Sequence, residues 1–287
     1  MTQVTLDRPI LVTGTPRSGK TVVRSIMESA DEFVCVGEPL MIWSAGMGVR
    51  SDDRRTADDA SPEVCERIRR DCAQLVKDAH KACYLDDLSY HALRVPFVRA
   101  VMPECKIIHV VRRGESAIPE LLFGWTFKDS MSGVIARRRT SIRLRSLPVM
   151  VARFARNYAM SRLSGRRATW GPRVPGLSEF SASHTPALIA AYQWSEMVRI
   201  ALDDLGHQPR EKWLQVRLED LIADPAGQAG RITDFCEVAE PGSVIEHAKA
   251  FIDPAYTFEK KVNPTDAEWE QIRALIRPVE ARLGYRE

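Results

Sequence analysis

Short apolar runs alternate with longer stretches of helical periodicity along this chain. Pro9 to Thr13 is an apolar run that breaks at a Gly-rich turn, and a helix is predicted to follow from about Thr21 to Ala30. A second run, Phe33 to Val36, ends at Gly37-Glu38-Pro39, a turn signal. Ser61-Pro62 opens a helix with a capping residue and a first-turn proline. Val64, Ile68, Cys72, Leu75, Val76 and Ala79 then lay an apolar stripe along it. Cys105 to Val111 reads CKIIHVV, too apolar and too short for anything but a strand buried on both faces. Thr185-Pro186 begins another helix, with Ile189, Met197, Ala201 and Leu205 on one side and Gly206 as its stop. Trp213 to Leu218 reads as strand, and Asp224-Pro225 restarts helix. Thr265 with Glu268 has capping-box spacing before a last helix that stops at Gly284. This alternation predicts an α/β fold, an open parallel sheet flanked by helices.

Composition bounds the class. The chain has 287 residues, 45% hydrophobic and 28% charged, which excludes a disordered or fibrous protein and suits one large domain spanning 1–287. No run approaches the roughly 18 consecutive apolar residues of a membrane span. The opening MTQVTLDRPILVTG lacks the pattern of a secretory signal. Six cysteines show no CxxC pair or metal spacing, so reduced core thiols and a cytoplasmic location are expected. The net charge of +3 conceals an asymmetry. Eleven arginines and no Asp, Glu or Lys lie between Ser130 and Ser178, leaving thirty basic against thirty-eight acidic residues elsewhere. The chain is an acidic body carrying one strongly basic segment, which interrupts the strand–helix alternation and reads as a largely helical insertion.

The strongest chemical signal follows the first strand. Gly14-Thr15-Pro16-Arg17-Ser18-Gly19-Lys20-Thr21 matches the phosphate-loop pattern of glycine, four residues, then Gly-Lys-Thr. Glycines let backbone N–H groups converge, the following helix offers its positive end, Lys20 adds a point charge and Thr21 a hydroxyl. A nucleoside triphosphatase would also need a carboxylate closing a second strand to hold magnesium. CKIIHVV ends instead in Arg112-Arg113, which suits an anion, while WLQVRL ends in Glu219-Asp220.

Three landmarks in order, TPRSG after the first strand, VVRRG after a second and VRLEDLIADP near the C-terminus, resemble those of PAPS-dependent sulfotransferases, of a bacterial branch similar to carbohydrate and tyrosine sulfotransferases. The resemblance runs from Pro9 to Tyr285 apart from the basic segment, within which Trp170-Gly171-Pro172-Arg173 resembles a motif of some bacterial members. It implies a P-loop-type parallel sheet. It also implies that Arg17, Ser18, Gly19, Lys20 and Thr21 bind the 5′-phosphosulfate of 3′-phosphoadenosine-5′-phosphosulfate (PAPS), the donor, with PAP as product and no metal. Arg112 is similarly implied to bind the 3′-phosphate.

Sulfuryl transfer needs in-line positioning and a cation on the bridging oxygen, which Arg17 and Lys20 can supply. It also needs a base for the acceptor hydroxyl. Glu38, in the VGEPL turn, resembles the family's glutamate base; Asp86, Asp87 and His91 are reserve candidates, and turn-capping or an arginine pair is the alternative for Glu38. Three positions depart from the family pattern. Glu120 stands where a serine often contacts the 3′-phosphate, with Arg113 or the Ser116 hydroxyl placed to offset it. Asp87 stands where a lysine often follows the aspartate, and Lys20 stands in place of threonine.

In the basic segment Leu144, Leu147, Val151, Phe154, Ala155 and Tyr158 form an apolar stripe among arginines, broken near Pro148. Three readings stay open: a lid with solvated or paired charges, a surface for an anionic acceptor or an anionic membrane at the inner face, and nucleic acid, which the scarcity of aromatics disfavours. The expected activity is sulfuryl transfer to a hydroxyl of a carbohydrate, glycolipid or natural-product acceptor. The alternatives are a small-molecule kinase using Mg-ATP, with Asp86 or Asp220 as magnesium carboxylate, and a non-catalytic nucleotide-binding membrane adaptor.

Overall fold

The computed structural model describes residues 6–126, 170–253 and 262–285, apart from positions 45, 47 and 49. Five strands form one parallel sheet: β1 (Asp7–Thr13), β2 (Phe33–Gly37), β3 (Cys83–Asp87), β4 (Lys106–Val111) and β5 (Trp213–Arg217), in spatial order β2-β3-β1-β4-β5. The register sets Val12 beside Asp87 on one side and Ile108 on the other, so β1 is the centre of the sheet. Successive side chains on a strand face opposite ways. Ile10 and Val12 of β1, with Ile108 and Val110 of β4, enter the core beneath α1 (Lys20–Met27), where Val23, Ile26 and Met27 meet them. Helices α9 (Pro225–Cys236) and α10 (Pro241–Phe251) complete that layer with Ile232, Cys236, Val244 and Ala248.

On the opposite face Leu11 and Ile107 pack with α3 (Pro62–Asp78) and α4 (Val95–Val101). Further along, Val111 packs with α5 (Gly114–Thr126), α7 (Pro186–Gly206) and α11 (Asp266–Arg282). Complete burial of such aliphatic side chains contributes about 1.5–3 kcal/mol each, which is why the strands read as continuous apolar runs. The capping signals hold. The Ser61 hydroxyl accepts from the Val64 N–H at 3.4 Å, the Asp224 carboxylate from the Gly227 N–H at 2.9 Å, and Thr265 with Glu268 closes a capping box.

One expectation needs correction, and one element was not assigned from the sequence. The first helix covers Lys20–Met27 rather than reaching Ala30, because Ser29 and Ala30 turn back onto the carbonyls of Ile26 and Met27. The segment with Asp86 and Asp87, to which the sequence pattern assigned no element, is β3, fully buried between β2 and β1. The expected apolar stripe of Leu144, Leu147, Val151, Phe154, Ala155 and Tyr158, and most of the basic segment, fall on residues 127–169, outside the described residues. Among the described residues no helix is long and apolar enough to cross a membrane.

Candidate active site

The loop from Gly14 to Thr21 joins β1 to α1, at the carboxyl ends of the strands where ligands of open α/β sheets bind. Two glycines fix its path. A Cβ on Gly14 would overlap the Val110 carbonyl oxygen, and one on Gly19, at φ 94°, would stand 2.6 Å from Leu218 Cδ1 of the short helix α8 (Leu218–Ala223). The Ser18 N–H donates to the Thr15 carbonyl at 3.2 Å and tightens the turn. The Ser18 hydroxyl is buried with no hydrogen-bond partner among the described residues. The first turn of α1 presents N–H groups that have no intrahelical acceptor, a positive end suited to an anion. A cradle with glycines where side chains would collide, an orphaned hydroxyl and a helix N-terminus fits a phosphosulfate.

Lys20 is nearly buried, its Nζ donating to the Thr15 carbonyl at 2.9 Å. Burial pushes its pKa down, the Asp87 and Glu38 charges pull it up, and Arg17 pushes it down. Arg17 is exposed and holds a left-handed φ of 66°. Glu38 is likewise exposed, with φ 45° immediately before Pro39. A glutamate in that region is strained, and such strain collects at functional sites.

The reserve bases are placed differently. Asp86 is sealed in the core, where one carboxylate oxygen accepts from Trp43 Nε1 (2.7 Å) and the Tyr84 hydroxyl (2.9 Å) and the other meets His91 Nε2 (3.0 Å). His91 is only 2% exposed, edge-on to the Trp43 ring at 4.6 Å. Neither reaches an acceptor. Asp87 closes β3 beside the loop. Its Oδ1 accepts the Glu38 N–H at 3.1 Å, and its Oδ2 accepts the Thr21 hydroxyl at 3.2 Å and pairs with Arg24 Nε at 3.4 Å. Burial raises the Asp87 pKa, against the opposing pull of Arg24 and Lys20. The Thr21 hydroxyl therefore meets Asp87 in this structure. Sequence reading missed Arg24; its signal was spacing, since it follows Thr21 by one helical turn on the same face.

Arg112, at the end of β4, is 1% exposed; its Nη1 donates to the Arg17 carbonyl (3.1 Å) and to Glu120 of α5 (2.8 Å). The group that offsets Glu120 is therefore Arg112 itself. Arg113 is engaged elsewhere: its N–H donates to Glu219 at 2.8 Å and its guanidinium lies 5.0 Å from the centre of the Tyr285 ring. Ser116 is half-buried in the first turn of α5, its N–H on the Arg113 carbonyl. Both acidic departures thus stand against an arginine, Asp87 on Arg24 and Glu120 on Arg112.

The Trp170–Arg173 turn closes over the loop. Gln193 of α7 donates to the carbonyls of Trp170 (2.9 Å) and Pro172 (2.7 Å), and a Cβ on Gly171 would lie 3.7 Å from Pro16. Arg173 gives its N–H and its guanidinium to Asp53, at 2.8, 3.2 and 3.1 Å, so it serves an ion pair rather than an open basic surface.

Comparison with known proteins settles the family. A family model described as the sulfotransferase family matches residues 9–162, more than half of the chain. The chain belongs to the sulfotransferase family. The fold of this sulfotransferase is similar to that of the sulfotransferase domain from the curacin biosynthetic pathway, at TM-score 0.55 and 15% identity, covering 98% of this chain and 99% of that one. A sulfotransferase from Mycobacterium avium superposes at TM-score 0.56 with 10% identity, over 97% of this chain and 77% of that one. The sulfotransferase domain of the Synechococcus PCC 7002 olefin synthase gives TM-score 0.54 and 15% identity, over 99% and 97%. Comparison with curated proteins gives no match.

Proposed function

We propose that this sulfotransferase moves a sulfuryl group from PAPS to a hydroxyl of a natural-product, carbohydrate or glycolipid acceptor. The loop amides and Ser18 hold the 5′-phosphosulfate, and Arg112 serves the 3′-phosphate, with Ser116 beside it. Glu38 takes the proton from the acceptor hydroxyl as its oxygen attacks sulfur. The bond from sulfur to the 5′-phosphate oxygen breaks, Arg17 and Lys20 neutralise the charge gathering on that oxygen, and PAP leaves. The observation that carries this reading is the placement of Glu38, a strained, exposed carboxylate at the loop mouth and within the field of Lys20. Two fold relatives are named for the curacin pathway and an olefin synthase, which directs an acceptor screen first to hydroxylated natural products.

The donor set suits a magnesium nucleotide poorly. Asp87, the carboxylate nearest the loop, already pairs with Arg24. Asp86 is sealed in the core, and Asp220 lines a cleft with Arg210, Arg217, Arg231 and Arg282. Calorimetric titration with PAP, and separately with ATP and magnesium, tests the donor: PAP binding lost in Arg112→Ala supports it, and binding of Mg-ATP alone overturns it. With an acceptor in hand, Glu38→Gln is expected to lower kcat by about 10²–10⁴-fold with PAP affinity retained. Turnover within a few-fold of the parent would remove Glu38 from the role.

A further inference from the structure

We infer that Asp87 is a positioning residue that couples the donor loop to the turn carrying Glu38, through one carboxylate shared between the first turns of α1 and that turn's main chain. The inference rests on the reading of Glu38 as base and of the loop as donor site. Three groups from two elements converge on this side chain, which is itself almost fully buried: Thr21 and Arg24 from α1 on Oδ2, and the Glu38 N–H of the turn on Oδ1. The strand pleat explains the arrangement. Adjacent residues of β3 face opposite ways, so Asp87 looks toward α1 while Asp86 looks toward α2 (Leu40–Trp43) and holds the Trp43 indole. The segment from Glu38 to Trp43 is therefore held at both ends by neighbouring carboxylates of one strand.

The turn needs such a hold. Glu38 sits at φ 45° before a proline, a backbone state that persists only when its surroundings impose it. The Glu38 N–H also bonds the Asp87 carbonyl at 3.1 Å, so the main chain sets the turn and the side chain ties that turn to α1. An anion arriving at the loop draws on Thr21 and Lys20, and those groups already feel Asp87. Donor binding is then transmitted to the Glu38 backbone by the carboxylate between them. Lysine or alanine at this position would leave the loop and the turn as separate units.

Hydrogen–deuterium exchange at the Glu38 amide, with PAP as the probe, tests this without an acceptor. In the parent, PAP is expected to slow that exchange by about fivefold or more, the lower end of ordinary coupling between sites. In Asp87→Ala the slowing is expected to vanish while PAP affinity stays within about tenfold. Asp87→Asn keeps an oxygen for the Glu38 N–H but loses the charge on Arg24, and is expected to restore part of the response. Retained slowing in Asp87→Ala, or none in the parent while PAP binds, overturns the coupling. If the parent does not bind PAP, the donor reading falls and the coupling is read in the free protein. There Thr21→Val is expected to speed exchange at Glu38 about threefold if Asp87 transmits, and an unchanged rate overturns it.

Discussion

Replacing Glu120 by serine tests how this site treats a 3′-phosphate. Glu120 Oε1 lies 2.8 Å from Arg112 Nη1, with the arginine side chain 1% and the glutamate side chain 23% exposed. A phosphate drawn to Arg112 therefore has a carboxylate as neighbour. A unit charge pair at about 6 Å in an effective dielectric of about 20 interacts by about 2.8 kcal/mol. With Arg112 between the anions and water at the rim, about half of that survives, on the order of a tenfold change in affinity. Glu120→Ser is therefore expected to tighten PAP about tenfold by calorimetry and to leave AMP, which lacks the 3′-phosphate, within about twofold. The free protein is expected to move the other way. Arg112 keeps the Arg17 carbonyl but loses its carboxylate, and a partly exposed pair of this kind costs about 2 kcal/mol when broken from one side. At about 2–4 °C per kcal/mol, Tm falls by about 4–8 °C, and saturating PAP recovers it. Equal tightening of PAP and AMP would refute the assignment of Arg112 to the 3′-phosphate. A loss of PAP affinity would refute the repulsion argument and make Glu120 the group that orients Arg112.

Three other outcomes are expected. His109, on β4, is fully buried with neither ring nitrogen bonded among the described residues, and burial, helped by the Lys20 charge, pushes its pKa down to about 4 from 6.5. The unfolded chain therefore binds the extra proton between those values, so stability is whole above about pH 6.5 and falls by about 3 kcal/mol as pH drops to about 4; urea unfolding against pH should show that limb shrink in His109→Leu. Gly19→Ala forces a Cβ into Leu218 at a left-handed φ, and is expected to cost about 1–3 kcal/mol in denaturant unfolding and to abolish PAP binding at micromolar protein. Asp53→Ala leaves Arg94, 1% exposed, without the carboxylate it shares with Arg173, and is expected to cost about 3–5 kcal/mol, read as a Tm drop on the order of 10 °C in a thermal scan.

Local rules carried much of this protein. The Ser61, Asp224 and Thr265 caps, the Lys106–Val111 strand and the Gly14–Thr21 loop were legible because each depends on residues within a few positions of one another. Periodicity of 3.6 and 2, capping chemistry and the steric freedom of glycine act at that range, and the order of the three family landmarks did the rest. Strand β3 was not legible. Two adjacent carboxylates contradict a buried strand until Trp43, Tyr84 and His91 surround Asp86, and Thr21, Arg24 and the Glu38 N–H surround Asp87. The same limit held for Glu120, whose partner proved to be Arg112 rather than Arg113 or Ser116, and for Arg173, whose partner Asp53 lies 120 positions away. The sequence by itself determined most of the elements and the phosphate loop, and its family resemblance pointed to Glu38 as the candidate base. Only the tertiary structure decided which cation each carboxylate meets, because a charge takes its partner from whatever the fold brings within a few ångströms, and that distance is unrelated to distance along the chain.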